Sequence, residues 1–93
     1  EALAAARSYG ASEAVLVRAD GLVTEGSFTS VFADGPDGVL LTPPAHLGLL
    51  PGVLRDHLIA EGRAREAELT LDDLAGGFWI GNGLRGLMRA VLV

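Results

Sequence analysis

Residues 13–25 read Glu13-Ala-Val-Leu-Val-Arg18, Ala19-Asp20-Gly21, Leu22-Val-Thr-Glu25, and the reading of the whole chain turns on them. Residues 13–18 form a short apolar run with β-branched members, which suits a pleated, half-buried surface. Asp20-Gly21 is a strong turn signal, and residues 22–25 resume the strand pattern, so the pair is predicted to form a hairpin.

The strand pattern continues toward the C-terminus. Gly26-Ser27 breaks the chain, and residues 28–33 then alternate apolar and polar side chains as a half-buried strand does. Gly35-Pro-Asp-Gly38 is a further turn, and residues 39–42 form a strand stopped by Pro43-Pro44. The first half therefore reads as a mostly antiparallel meander. Residues 45–50 read as a loop, followed by a helix at about 51–61. Pro51 sits where its absent N–H is not needed. Val53, Leu54, His57, Leu58 and Ala60 are placed near the apolar face of that helix. Further short strands are predicted at 65–69, as an edge, at 78–80, with Trp79 in the core, and at 87–93. Between the first two, Thr70 caps one helical turn, residues 71–74, with Asp73 three positions on. Toward the N-terminus, alanine-rich residues 1–9 predict the end of a helix stopped by Gly10, or else a loose tail. Strands first and then strands mixed with short helices make the class α+β.

The 93 residues fit a single domain, and nearly half of them are apolar. Cysteine is absent, which removes disulfides and thiolate metal sites and suits a cytoplasmic location. The formal charge is −5 and the seven basic residues are scattered arginines, so neither nucleic acid nor an anionic membrane is an expected partner. No run approaches the length of a bilayer span. The opening Glu1-Ala-Leu has neither cap nor Met and reads as a break in a longer chain. Without lysine, the chain carries no side-chain amine for a Schiff base.

Three local features bear on chemistry. Gly52-Val53-Leu54 opens a helix, where unpaired N–H groups and the positive dipole end attract phosphate, although every helix has such an end. Gly81-Asn82-Gly83-Leu84-Arg85-Gly86 lets backbone approach a ligand, or simply connects two strands tightly. It is neither a Walker A loop nor a dinucleotide fingerprint. Glu25 closes a strand beside Gly-Ser, where a carboxylate serves as a general base, as a partner for a protonated ring nitrogen, or as a solvated turn residue. His46 and His57 lack the spacing of a zinc site, and no hydrolytic triad is formed.

Taken together, these segments resemble the class IV aminotransferases, the fold type IV pyridoxal-phosphate enzymes. The landmarks run in family order: Ser12-Glu-Ala-Val-Leu16, Asp20-Gly-Leu-Val-Thr-Glu25-Gly-Ser27, Val31-Phe32, Thr42-Pro-Pro44, Gly48-Leu-Leu-Pro-Gly52-Val-Leu-Arg55, Leu69-Thr-Leu-Asp-Asp-Leu74 and Phe78-Trp-Ile-Gly-Asn82-Gly-Leu-Arg-Gly86. The resemblance implies the C-terminal domain of the D-amino-acid-aminotransferase-like fold, with pyridoxal 5'-phosphate as cofactor. It implies that Glu25 pairs with the pyridine nitrogen and that Gly52, Val53 and Leu54 hold the phosphate through backbone N–H groups. It also implies that Asn82 and Gly83 reach over the cofactor, with Leu84 and Arg85 at the substrate. The Schiff-base lysine and an N-terminal domain are implied upstream, so this piece alone is expected to be inactive. A homodimer and a small-molecule substrate are implied as partners.

The sequence departs from the family at three positions. Ser30 stands where Asn is usual, and Ala90 where proline is common. Gly83 replaces a Ser or Thr hydroxyl, a bond to a charged group worth about 1–3 kcal/mol. These departures keep a non-catalytic binding module or a plain structural domain in view. Within the family, Asn-Gly-Leu-Arg-Gly is similar to the loop of aminodeoxychorismate lyases, and an arginine there suits a dicarboxylate. The expected reaction is therefore release of 4-aminobenzoate and pyruvate, in folate biosynthesis. Transamination of a branched-chain or D-amino acid is the alternative.

Overall fold

A computed structural model describes residues 2–8, 11–49 and 52–93. The described residues form eight strands: β1 (Ala2–Ser8), β2 (Ala11–Val17), β3 (Val23–Gly26), β4 (Ser30–Asp34), β5 (Leu40–Thr42), β6 (Ala64–Glu66), β7 (Phe78–Asn82) and β8 (Gly86–Leu92). Two helices accompany them, α1 (Val53–Ala60) and α2 (Leu71–Leu74). The strands make one mixed sheet in the order β3-β2-β1-β8-β7-β4-β5-β6, an α+β architecture as expected.

The hairpin read from Asp20-Gly21 is present, with Val17 opposite Val23 and Val15 opposite Gly26 in an antiparallel ladder. Arg18 and Leu22 close it through an N–H···O bond of 2.8 Å. The simple meander does not continue past Gly26. Strand β4 pairs with β5 on one side, as read, but with β7 on the other, Ser30 standing opposite Gly81. β6 lies at the predicted edge and is parallel to β5.

The helix expected over 1–9 is a strand across Ala2–Ser8. Its seven residues pair in unbroken register with β2, and Ala6 and Ser8 are buried while Arg7 is exposed, the period of two that a strand demands. Alanine's helix propensity is a weak prior that this pairing overrides. Glu1, Tyr9 and the predicted stop at Gly10 lie outside the described residues, as does the Pro51 helix start.

The sheet curls until β3 stands beside β4, where the Gly26 N–H donates to the Thr29 carbonyl at 2.9 Å. Its inner face closes on Val15, Val23, Val31, Leu74, Phe78 and Ile80. Phe32 alternates to the opposite face of β4 and meets Leu58 of α1 and Ala64 of β6. α1 therefore lies against the outer face of the sheet. Its buried residues are Arg55 and Leu58, whereas Val53, His57 and Ala60 are exposed, contrary to the face read from sequence. A periodic reading discounts a charged residue as core, and here a charged residue faces inward because it finds partners. Trp79 is only half-buried, its indole N–H donating to the Asp34 carboxylate at 3.0 Å. The capping of α2 is as read, with the Thr70 N–H donating to the Asp73 carboxylate at 2.8 Å.

Candidate functional site

The Ser30–Gly81 register brings two connections to the same end of the sheet. One is residues 27–29, linking β3 to β4. The other is the turn 83–85, linking β7 to β8. The start of α1 completes the group. Between them lies a cavity of about 710 Å³, lined by Glu25, the 26–30 segment, Gly52, Val53 and residues 81–84. That volume is in the range of small-molecule sites.

Of the residues singled out from sequence, Glu25, Gly52, Val53, Asn82, Gly83 and Leu84 line this one cavity. Glu25 is half-buried at the end of β3. Gly52 precedes α1 in extended conformation and offers no side-chain cap, so the helix start presents backbone to the cavity. A Cβ at Gly52 would stand 2.7 Å from the Ser30 hydroxyl. At Gly81 a Cβ would stand 2.5 Å from the Gly86 carbonyl and 2.7 Å from Leu54 Cδ2. Gly81 thus needs glycine for close approach, whereas at Gly52 the Ser30 hydroxyl would have to turn aside. Leu54 lies behind the wall, packed on Gly81, and is not among the lining residues.

Arg85 is not brought to the cavity. Its guanidinium lies 3.8 Å from the Glu13 carboxylate and contacts Met88 Sδ at 3.4 Å. The mouth is instead apolar: Phe28, Val53 and Leu84 are 90%, 79% and 93% exposed. Phe28 was not singled out by sequence reasoning, and a lone aromatic in a strand-like run carries no signal of exposure.

Arg55 was also missed. It is buried, and its guanidinium donates to the Pro43 carbonyl at 3.1 Å and to the Glu66 carboxylate. The same Glu66 oxygen accepts the Ala45 N–H at 2.7 Å. These bonds tie the turn after β5, the first turn of α1 and strand β6 into one unit behind the cavity. The Ala45 N–H, and then Arg55, hold the Glu66 carboxyl below its ordinary range. Among the described residues no cluster of three potential metal ligands occurs, and no helix is long and apolar enough to cross a membrane.

The whole chain, residues 1–93, matches the family described as amino-transferase class IV. The branched-chain-amino-acid aminotransferase of Escherichia coli K12 is 39% identical over 54 residues, 58% of this chain and 17% of that protein. A Mesorhizobium loti structure, provisionally named an amino-acid aminotransferase, is similar with a TM-score of 0.77 and 51% identity over 83% of this chain and 38% of that one. A Legionella pneumophila structure, provisionally named a 4-amino-4-deoxychorismate lyase, gives a TM-score of 0.71 and 26% identity over 83% of this chain and 31% of that one. The chain thus spans only 17% of the length of the curated relatives it matches.

Proposed function

The chain belongs to the class IV aminotransferase family, and from that premise we propose that it forms the phosphate- and ring-holding wall of a pyridoxal-phosphate site in an enzyme that transaminates an amino acid. The observation carrying this reading is the convergence of Glu25, the α1 start and the 82–84 turn on one cavity. The residues fit the cofactor chemically. The lining offers a carboxylate, suited to a pyridine N–H, together with an uncapped helix start and a glycine-containing turn, suited to a phosphate. Gly83 lies close to this helix start, since a Cβ there would be 3.4 Å from Val53 Cβ.

When bound, the cofactor ring withdraws electron density from the substrate α-carbon. Glu25 would keep a proton on the ring nitrogen by pairing with it. The backbone at Gly52 and Val53, with Leu54 behind, and at Gly83 would hold the phosphate end. The amine for covalent attachment comes from outside these 93 residues, which contain no lysine. We take the whole protein to be a homodimer, as the family resemblance implies, in the cytoplasm, which a cysteine-free sequence suits.

Transamination is preferred to the lyase reaction because the argument for a dicarboxylate rested on Arg85, which pairs with Glu13 away from the cavity. The Mesorhizobium loti relative supports the same choice at 51% identity. The lyase remains the second reading, favoured by the run Asn82-Gly-Leu-Arg-Gly86 and by the Legionella pneumophila relative. The whole protein, mixed with pyridoxal phosphate, is expected to develop a visible absorbance band. It should then transfer an amino group from an apolar amino acid to a 2-oxo acid. Release of pyruvate and 4-aminobenzoate from aminodeoxychorismate, without amino transfer, would replace the first reading with the second. Absence of the band would sink both.

A further inference from the structure

Asn82 lines the cavity, yet its side chain is engaged with the protein itself. Its Oδ1 accepts the Leu84 N–H at 3.1 Å and the Arg85 N–H at 2.7 Å. Its Nδ2 donates to the Phe28 carbonyl at 3.2 Å. The three partners fix the amide orientation, because two N–H donors require the oxygen and a carbonyl requires the nitrogen. The Oδ1 bonds shape the 83–85 turn from within. The Nδ2 bond crosses 54 positions of sequence to the other wall of the cavity.

The segment it reaches has few other supports. Residues 27–29 are closed at their base by the Gly26 N–H···O Thr29 bond. The Ser27 hydroxyl reaches the Ala14 carbonyl only at 3.5 Å, the outer limit of a hydrogen bond. The Thr29 hydroxyl oxygen is buried without a partner among the described residues. The Asn82 amide therefore ties the exposed tip at Phe28 to the turn that carries the exposed Leu84.

We propose that Asn82 is a positioning residue that staples the two walls of the cavity mouth, fixing the backbone at Phe28 relative to the turn that carries Leu84, and that it does not itself contact the cofactor phosphate. Its consequence for substrate rests on the pyridoxal-phosphate reading above, whereas the staple does not. Asparagine suits the role because one planar amide supplies an acceptor for the turn and a donor for the far wall. Aspartate keeps the acceptor and loses the donor, and alanine loses both.

The test uses Asn82→Asp and Asn82→Ala in the whole protein. Amide hydrogen exchange without cofactor comes first. Asn82→Ala should speed exchange at Leu84 and Arg85 and also at residues 26–29. Asn82→Asp should leave Leu84 and Arg85 slow and speed only 26–29. Should the alanine variant fail to fold, the aspartate variant decides alone. In the loaded enzyme, Asn82→Asp should raise KM for the amino acid about fivefold, the size of one lost hydrogen bond, with kcat held within about twofold. Unchanged exchange at residues 26–29 in Asn82→Asp overturns the staple, whatever the kinetics. Slow exchange retained together with cofactor affinity lowered more than about tenfold assigns Asn82 as a direct ligand instead. Faster exchange with an unmoved KM leaves the staple without a role at the mouth and overturns that part. Failure to bind pyridoxal phosphate at all would sink the function above while the exchange result still stands.

Discussion

Gly81 and Arg85 are four residues apart and have opposite standing. Gly81 is crowded by the Gly86 carbonyl, which belongs to the backbone of the neighbouring strand and has little freedom to retreat. Gly81→Ala is expected to destabilise the protein by about 1–3 kcal/mol, as overpacking does. Gly52→Ala should cost less, because the Ser30 hydroxyl it meets is able to rotate away. Comparing the urea midpoints of the two variants checks the order. Arg85, paired at 3.8 Å with Glu13 and half exposed, is a surface ion pair of small worth. Arg85→Ala should leave the amino-acid KM of the whole protein within about twofold, in keeping with an exposed pair. A large rise would return Arg85 to the substrate and revive the dicarboxylate reading.

Helix α1 depends on the arginine buried at its first turn. Arg55→Ala removes donors from the Pro43 carbonyl and from Glu66, and should cost about 2 kcal/mol, the range for bonds to charged groups. Arg55→Lys should recover only part, since an ammonium lacks the planar fork that serves both acceptors. Thermal unfolding of the two variants distinguishes these outcomes. The pair also sets a pH dependence. The folded Glu66 carboxyl titrates below its ordinary value of 4.5, held there by the Ala45 N–H and by Arg55. Its contribution is therefore complete above that value and is lost as pH falls through the lowered one. Glu66→Gln should flatten this part of the acid-stability curve. An equally steep acid loss in the variant would assign the loss to other carboxylates, such as Asp34, which is lowered by Arg89 and Trp79.

The curled sheet is what makes the cavity. Val15, Val23, Val31, Phe78 and Ile80 come from four strands, β2, β3, β4 and β7, and meet on one inner face. Phe78 is fully buried, so Phe78→Ala should cost about 3–5 kcal/mol. That is a large share of the ~5–15 kcal/mol that holds a native protein together. A midpoint shift without a change in denaturant slope would show that the folded architecture is retained. Loss of the cavity with the core would tie the site to the sheet's curvature.

Local chemistry in the sequence was sufficient for much of this. Asp20-Gly21 specifies a hairpin because its φ requirements are met on the spot. Thr70 and Asp73 specify the α2 cap in the same way, whereas the gathering of Glu25, Gly52 and Gly83 was implied by the family resemblance and by nothing local. Four features depended on partners distant in sequence. Residues 2–8 became a strand because β2 offered seven paired positions, against their own propensity. Arg55 turned inward because Glu66 and Pro43 awaited it eleven and twelve residues away. Arg85 turned outward to Glu13, and the Asn82 amide met the Phe28 carbonyl because the Ser30–Gly81 register carried the two together. Turns and caps are short-range and legible, while the direction of a long polar side chain is decided by whichever partner the folded backbone brings within hydrogen-bond reach.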